Sequence, residues 1–208
     1  MSDMTLRNGT IAFFIFFVSS VTTTAQLYQS AFHVGWNTLV PLSDKEFTSK
    51  TSSAGMRLGF TKFVSDHFGF GLEGSYNTLN DYVPLKTYGF PGGAITADVY
   101  NYLYYFTVTA NAQYYFTQGG KFIPYVALGM GVAFNEYRIF YNVYEDTDSQ
   151  QGFVVRPEVG TLFRIREYAS WGIKSSVSYD YAASKSEYLD VDEFSGIGFQ
   201  IGVVLFTD

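Results

Sequence analysis

Cysteine does not occur in the 208 residues. Disulfides, thiolate-bound metals and thiol nucleophiles are therefore excluded. Charge is sparse: acidic and basic residues together make up 15% of the chain, and acids outnumber bases to give a net charge of −6. Such a chain offers no basic face to nucleic acid. Histidine is limited to His33 and His67, which leaves little for general acid–base chemistry. Long apolar runs are missing as well. "IAFFIFFVSSV", Ile11–Val21, falls well short of the ~20 residues that a membrane-spanning helix needs.

That short run has another reading. Arg7 precedes it and the small residues of "TTTA", Thr22–Ala25, follow it, the order of a secretory signal peptide cleaved before Gln26. Residues 1–25 are expected to be this leader, and residues 26–208 the folded domain.

What the chain does have is aromatic residues, 20% of the total, together with 20 glycines. Residues 31–40, 54–63, 68–77, 100–116, 122–137, 153–165, 171–181 and 196–206 each alternate between two faces. One face collects Phe, Tyr, Trp, Leu, Ile and Val; the other collects Gly, Ala, Ser, Thr and charged residues. A period of two is the mark of β-strands. The connections alternate in length. Residues 64–67, 117–121 and 166–170 read as tight turns, and residues 41–53, 78–99, 138–152 and 182–195 as long loops. An up-and-down barrel with both termini at one end predicts three short turns on that end and four long loops on the other. The expected fold is all-β: an eight-stranded antiparallel up-and-down transmembrane β-barrel.

A soluble secreted lipocalin-like lipid-binding barrel would invert the faces, with the apolar one lining a cavity. Two features weigh against it. Gly69, Gly71, Gly129, Gly131, Gly198 and Gly202 crowd the polar face, where the narrow interior of an eight-stranded barrel needs small residues beside large ones. Tyr104 and Tyr114 on one strand are ten residues apart, roughly 33 Å along the strand and roughly 25 Å in height once tilted, the apolar band expected between aromatic girdles. Trp36, Tyr102, Tyr104, Tyr114, Phe116, Trp171 and Tyr179 are the expected girdle residues. Membrane lipid is then the expected first partner.

The stretches "GFTKFVSDHFGFGLEGSY" (59–76), "GKFIPYVALGMGVAF" (120–134), "FVVRPEVGTLFRI" (153–165) and "GFQIGVVLF" (198–206) resemble the small outer-membrane β-barrels of Gram-negative bacteria, the OmpA-type eight-stranded barrel and its Bacteroidota relatives. The resemblance implies an outer-membrane protein whose N and C termini are periplasmic. Thr207 and Asp208 after Phe206 depart from the terminal aromatic of that pattern.

The interior face carries Arg57, Arg156, Arg164 and Lys174 against Glu73, Glu158 and Asp180. Isolated buried charges are costly, so these are expected to pair: Arg57 opposite Glu73 across a turn centred near residue 65, and Arg156 opposite Asp180 across one near 168. A salt-bridged plug is favoured over a gated polar pathway, because eight strands leave room only for packed side chains or one small ligand. No catalytic constellation, cofactor site or metal site is expected. The acidic runs Glu145, Asp146, Asp148 and Glu187, Asp190, Asp192, Glu193 lack the spacing of a calcium loop and read as a solvated rim. The expected role is that of a non-enzymatic outer-membrane barrel acting in structure or interaction, including as an accessory subunit with protein partners in a larger outer-membrane complex. A narrow channel for small solutes or ions is the alternative.

Overall fold

The computed structural model describes residues 29–207 apart from 44, 46, 91, 118, 142, 143, 168 and 185–192. The leader expected at 1–25 lies outside the described residues, as do Glu187, Asp190 and Asp192. Eight strands follow one another: β1 (Ser30–Pro41), β2 (Ala54–Phe63), β3 (Phe68–Phe90), β4 (Gly93–Tyr115), β5 (Phe122–Tyr141), β6 (Tyr144–Arg164), β7 (Trp171–Ala183) and β8 (Phe194–Thr207). Each pairs antiparallel with the next, and β1 pairs with β8 to close a barrel. Closure leaves no free sheet edge around the ring.

The register fixes the shape. Leu39 pairs with Gly198, and the register then passes through Ser178, Glu158, Ala127, Gln113, Gly69 and Phe63. Phe63 N–H donates to the Gln29 carbonyl. The circuit thus returns to β1 ten residues from its start, at Gln29 instead of Leu39. That stagger inclines the strands by about 40° and gives an interior only wide enough for side chains.

The two faces of the alternation are outside and inside. Phe32, Val34, Leu58, Phe60, Phe70, Leu72, Val108, Met130, Val132, Val159, Ile173, Ile201 and Val203 all point outward and are exposed. A continuous apolar wall of this extent marks a membrane surface, not a water-facing one. This is the inverse of a lipid carrier with an apolar cavity. Inside, glycines make room for large neighbours. A Cβ on Gly160 would lie 2.7 Å from the Tyr125 hydroxyl, and one on Gly59 would lie 2.5 Å from the His33 ring.

The barrel is uneven in height. The strands β3, β4, β5 and β6 have 23, 23, 20 and 21 residues, against 12, 10, 13 and 14 for β1, β2, β7 and β8. Most of the stretches 78–99 and 138–152, expected as loops, continue the strands as hairpins that rise above the barrel. Outside the membrane the outward face has no lipid to meet and loses its apolar signature, which is why Thr78, Asn80 and Thr147 read as loop. Pro84 falls at a register shift between Val83 and Lys86, where a missing N–H disrupts no ladder. Glu145, Asp146 and Asp148 sit on β6 accordingly.

The β1–β2 connection folds over the inner side of this wall. Phe47 packs edge-on against Tyr137 at 5.1 Å, and its carbonyl accepts from Asn101 Nδ2 at 2.9 Å. Asp81 latches the segment: its Oδ2 accepts from Ser49 N at 3.1 Å and from Ser49 Oγ at 2.8 Å, and Oδ1 lies 3.0 Å from Lys50 Nζ. Partial desolvation would raise the Asp81 pKa, but the hydrogen bonds from Ser49 and Lys50 outweigh it and hold the carboxyl down at about 2. A depressed carboxylate stabilises above its unfolded pKa near 3.9 and loses that contribution as pH falls through its folded value. The latch is therefore fully formed from about pH 4 upward and loosens only toward pH 2. In Asp81→Asn, trypsin cleavage after Lys45 and Lys50 is expected to quicken about fivefold at pH 8, the size of a lost exposed ion pair and hydrogen bond. Unchanged cleavage would show that Asp81 does not hold the segment.

Candidate functional site

The lumen is built in three layers. Near the turn end, Ala31, Phe63, Tyr115, Ile123, Tyr125, Leu162, Val204 and Phe206 form a buried apolar cluster. Near the hairpin end, Leu39, Leu79, Leu103, Tyr105, Ala133, Tyr137, Val154, Ala182 and Phe194 form a second, with Phe47 against it. The interior parity is thus not wholly polar, as its glycines and charges suggest, but closes at each end with hydrocarbon. Tyr105 and Leu103 on β4, and Val204 and Phe206 on β8, are the breaks in the polar pattern that signal it.

Six of the seven charged residues expected inside occupy the layer between. Arg156 grips Asp180 from two nitrogens, Nε to Oδ1 at 2.7 Å and Nη2 to Oδ2 at 2.6 Å. Its Nη1 donates to Glu73 Oε1 at 3.1 Å, and Nη2 also meets Ser75 Oγ and Thr107 Oγ1. Arg57 donates from Nη1 to Glu158 Oε2 at 2.7 Å and from Nη2 to Ser178 Oγ at 3.0 Å, with Nε 3.6 Å from Glu73 Oε1. Lys174 Nζ lies 3.3 Å from Glu158 Oε1 and 3.5 Å from Glu73 Oε2. The Tyr125 hydroxyl donates to Glu158 Oε1. His33 Nε2 completes the group, 3.2 Å from Glu73 Oε2 and 3.3 Å from Lys174 Nζ.

Three cations thus face three carboxylates, each in contact with more than one partner or in a bidentate pair. Arg57 and Arg156 are 0% and 2% exposed. Burying such charges is tolerable only with this degree of pairing and hydrogen bonding. A cavity of about 10 Å³ lies among Glu73, Thr109, Asn111, Gln113, Arg156 and Glu158, about the size of one water.

The pairings differ in part from those expected. Arg57 stands opposite Ser75, and Glu73 opposite Gly59. The turn is centred one residue later than 65, and the two-residue offset leaves every face unchanged. Long side chains still bring Arg57 to Glu73, but Glu158 across the lumen is its closer partner. Arg156 and Asp180 meet directly. They do so fully buried. Arg164 lies away from the six, near the turn end, with its guanidinium 4.5 Å over the Phe206 ring. His33 joins a charge network that sequence reasoning left it out of; its position on the polar parity of β1 was the available signal.

The aromatic residues expected in the girdles face outward. Tyr102, Tyr104 and Tyr179 lie toward the hairpin end, where Tyr104 stacks on Tyr76 and on Tyr102. Tyr114, Phe116 and Trp171 lie toward the turn end, with Tyr114 edge-on to Phe68 and Phe116. Trp36 faces outward and donates its indole N–H to the Ser53 carbonyl. Among the described residues no cluster of His, Asp and Glu has the arrangement of a metal site.

These features define the class: an all-β, eight-stranded antiparallel barrel of the small outer-membrane type, with an apolar wall outside and a packed, charge-paired lumen inside. No protein-family model matches the chain, and no curated protein matches it. Solved structures do. Ail, the attachment invasion locus protein of Yersinia pestis, is 14% identical with a TM-score of 0.53, over 86% of this chain and 98% of that one. Ail in complex with the heparin analogue sucrose octasulfate matches at 15% identity and a TM-score of 0.52, with the same coverage. Neisserial surface protein A matches at 13% identity and a TM-score of 0.48, over 88% of this chain and 99% of that one. The two Ail structures establish the likeness of fold.

Proposed function

We propose that the protein is a non-enzymatic, non-conducting barrel of the outer membrane, with its termini periplasmic and its long hairpins outside the cell, acting as a scaffold that presents those hairpins and its lipid-facing wall to other components of the membrane. One observation carries this reading: the lumen is packed with a neutralised charge layer between two apolar clusters. An ion entering would have to break paired charges and then cross hydrocarbon at both ends. The same layering spends the buried charges of the lumen on one another. What supports the orientation is the short turns at the end that carries both termini, the usual arrangement of such barrels.

Planar-bilayer recordings of the refolded protein test the central claim. Conductance is expected to stay at the bare-membrane level from pH 5 to 8. Steady unitary steps would replace the scaffold with the narrow-channel reading. Protease added to intact cells tests the orientation separately: it is expected to cut the hairpin side and spare the turn at 117–121.

A further inference from the structure

The outward wall is not uniform. Where β3, β4, β5 and β6 pass the hairpin-end aromatic level, their side chains enclose a groove of about 590 Å³, the size of a small-molecule site. Its lower part is lined by Tyr76, Phe106 and Phe134, each exposed. Its upper part is lined by Glu136, Ser149 and Gln150, with the Tyr104 ring between the two. Polarity therefore rises along the groove in the direction that leads out of the membrane.

The upper rim is rich in acceptors. Arg138, beside the groove, is already engaged: its Nε donates to Glu136 Oε1 at 2.5 Å, its Nη1 lies 3.2 Å from Glu145 Oε1, and its guanidinium stacks over Tyr104 at 5.3 Å. Ser149, opposite Glu136 on β6, turns the same way and adds its hydroxyl to the rim, whereas Gln150, opposite the buried Asn135, turns inward. Two carboxylates against one guanidinium leave this rim with a net negative charge. An anionic headgroup would meet like charge there. A cationic donor would meet a complementary site.

We propose that this groove holds a single lipid whose headgroup carries a primary ammonium. An acyl chain lies against Phe106 and Phe134, and the ammonium donates to Glu136 and the Ser149 hydroxyl at the level where Tyr104 meets the headgroups. The inference rests on the reading of the barrel as membrane-inserted. It adds to that reading one chemically selective site on an otherwise unselective wall.

The test uses the refolded full-length barrel, first shown to be folded by its heat-modifiable migration on electrophoresis. Native mass spectrometry then measures retention of phosphatidylethanolamine, phosphatidylcholine and phosphatidylglycerol with identical acyl chains. The expected result is one tightly held lipid, with phosphatidylethanolamine retained about two- to fivefold over the other two, the range that one exposed charge pair supports. Glu136→Gln is expected to level the three lipids, and Phe106→Ala with Phe134→Ala to weaken all of them alike. Should Glu136→Gln not fold, Glu145→Gln reads the same charge. Equal retention of the three by a folded wild-type barrel, or a preference that survives loss of the carboxylate, overturns the proposal while leaving the membrane reading intact. A chain that gives no heat-modifiable form in any lipid removes both.

Discussion

Asp180→Ala is expected to destabilise the barrel by about 3–5 kcal/mol, because it strands the Arg156 guanidinium in a sealed lumen. The two side chains are 1% and 2% exposed and joined by a bidentate pair, so bulk water does not reach the stranded guanidinium. Glu73 at 3.1 Å then holds Arg156 alone while also facing Arg57 and Lys174, and the layer is left one positive charge in excess. Arg156→Ala is expected to cost a similar amount for the opposite reason, since Asp180 loses its guanidinium partner. Removing both restores the balance, so the double variant is expected to lose clearly less than the two singles combined. Urea unfolding of the four proteins, refolded in the same lipid, measures the cycle. Additive losses would mean that the pair does not interact.

The second large effect belongs to the wall. Val108 faces outward between Gly74 and Val132 and is 42% exposed, while Thr109 faces the lumen opposite Glu73 and is 1% exposed. Val108→Arg is expected to cost about 2–4 kcal/mol near the membrane midplane and to lower the heat-modifiable fraction sharply on refolding into liposomes. Thr109→Arg places the same charge beside Glu73 and Glu158, which line the cavity it enters. It is expected to be milder, its remaining cost coming from crowding. Equal loss of the folded form in both variants would reverse the assignment of inside and outside.

These two predictions lean on different parts of what the sequence displays. The faces of all eight strands are legible in it, because lipid on one side and a narrow lumen on the other impose opposite demands on alternate residues. Val108 and Thr109 are adjacent and have opposite fates for that reason. The tight turns are legible too: Ser65 caps the first by accepting from Phe68 N at 3.1 Å, and Gly120 in the second takes a φ of 89°. Register is a different matter. Shifting Arg57 by two residues along β3 keeps every side chain on its face, so no pattern of alternation distinguishes Glu73 from Ser75 as its opposite number. Partners across the lumen, such as Arg57 with Glu158, depend on the diameter and stagger of the closed ring, which only the assembled barrel sets. The upper halves of the hairpins were hidden because alternation fades where the strand leaves lipid.

The four long strands are consecutive, and that has a consequence for how the molecule meets its neighbours. Seen down its axis, the barrel has a tall half, β3 to β6, and a low half, β7 through β1 to β2. A closed ring of equal strands would look alike from every bearing; this one has an azimuth. From one side a body drifting in the plane of the bilayer meets the short strands, where Leu42 N and Ser43 N bond to the Ser195 carbonyl. Coming from the opposite side it meets a parapet of paired strands, stiff because each hydrogen-bonds to the next. Rotation of the barrel about its own axis therefore decides which surface an approaching molecule encounters, even though the wall inside the membrane is apolar all the way round.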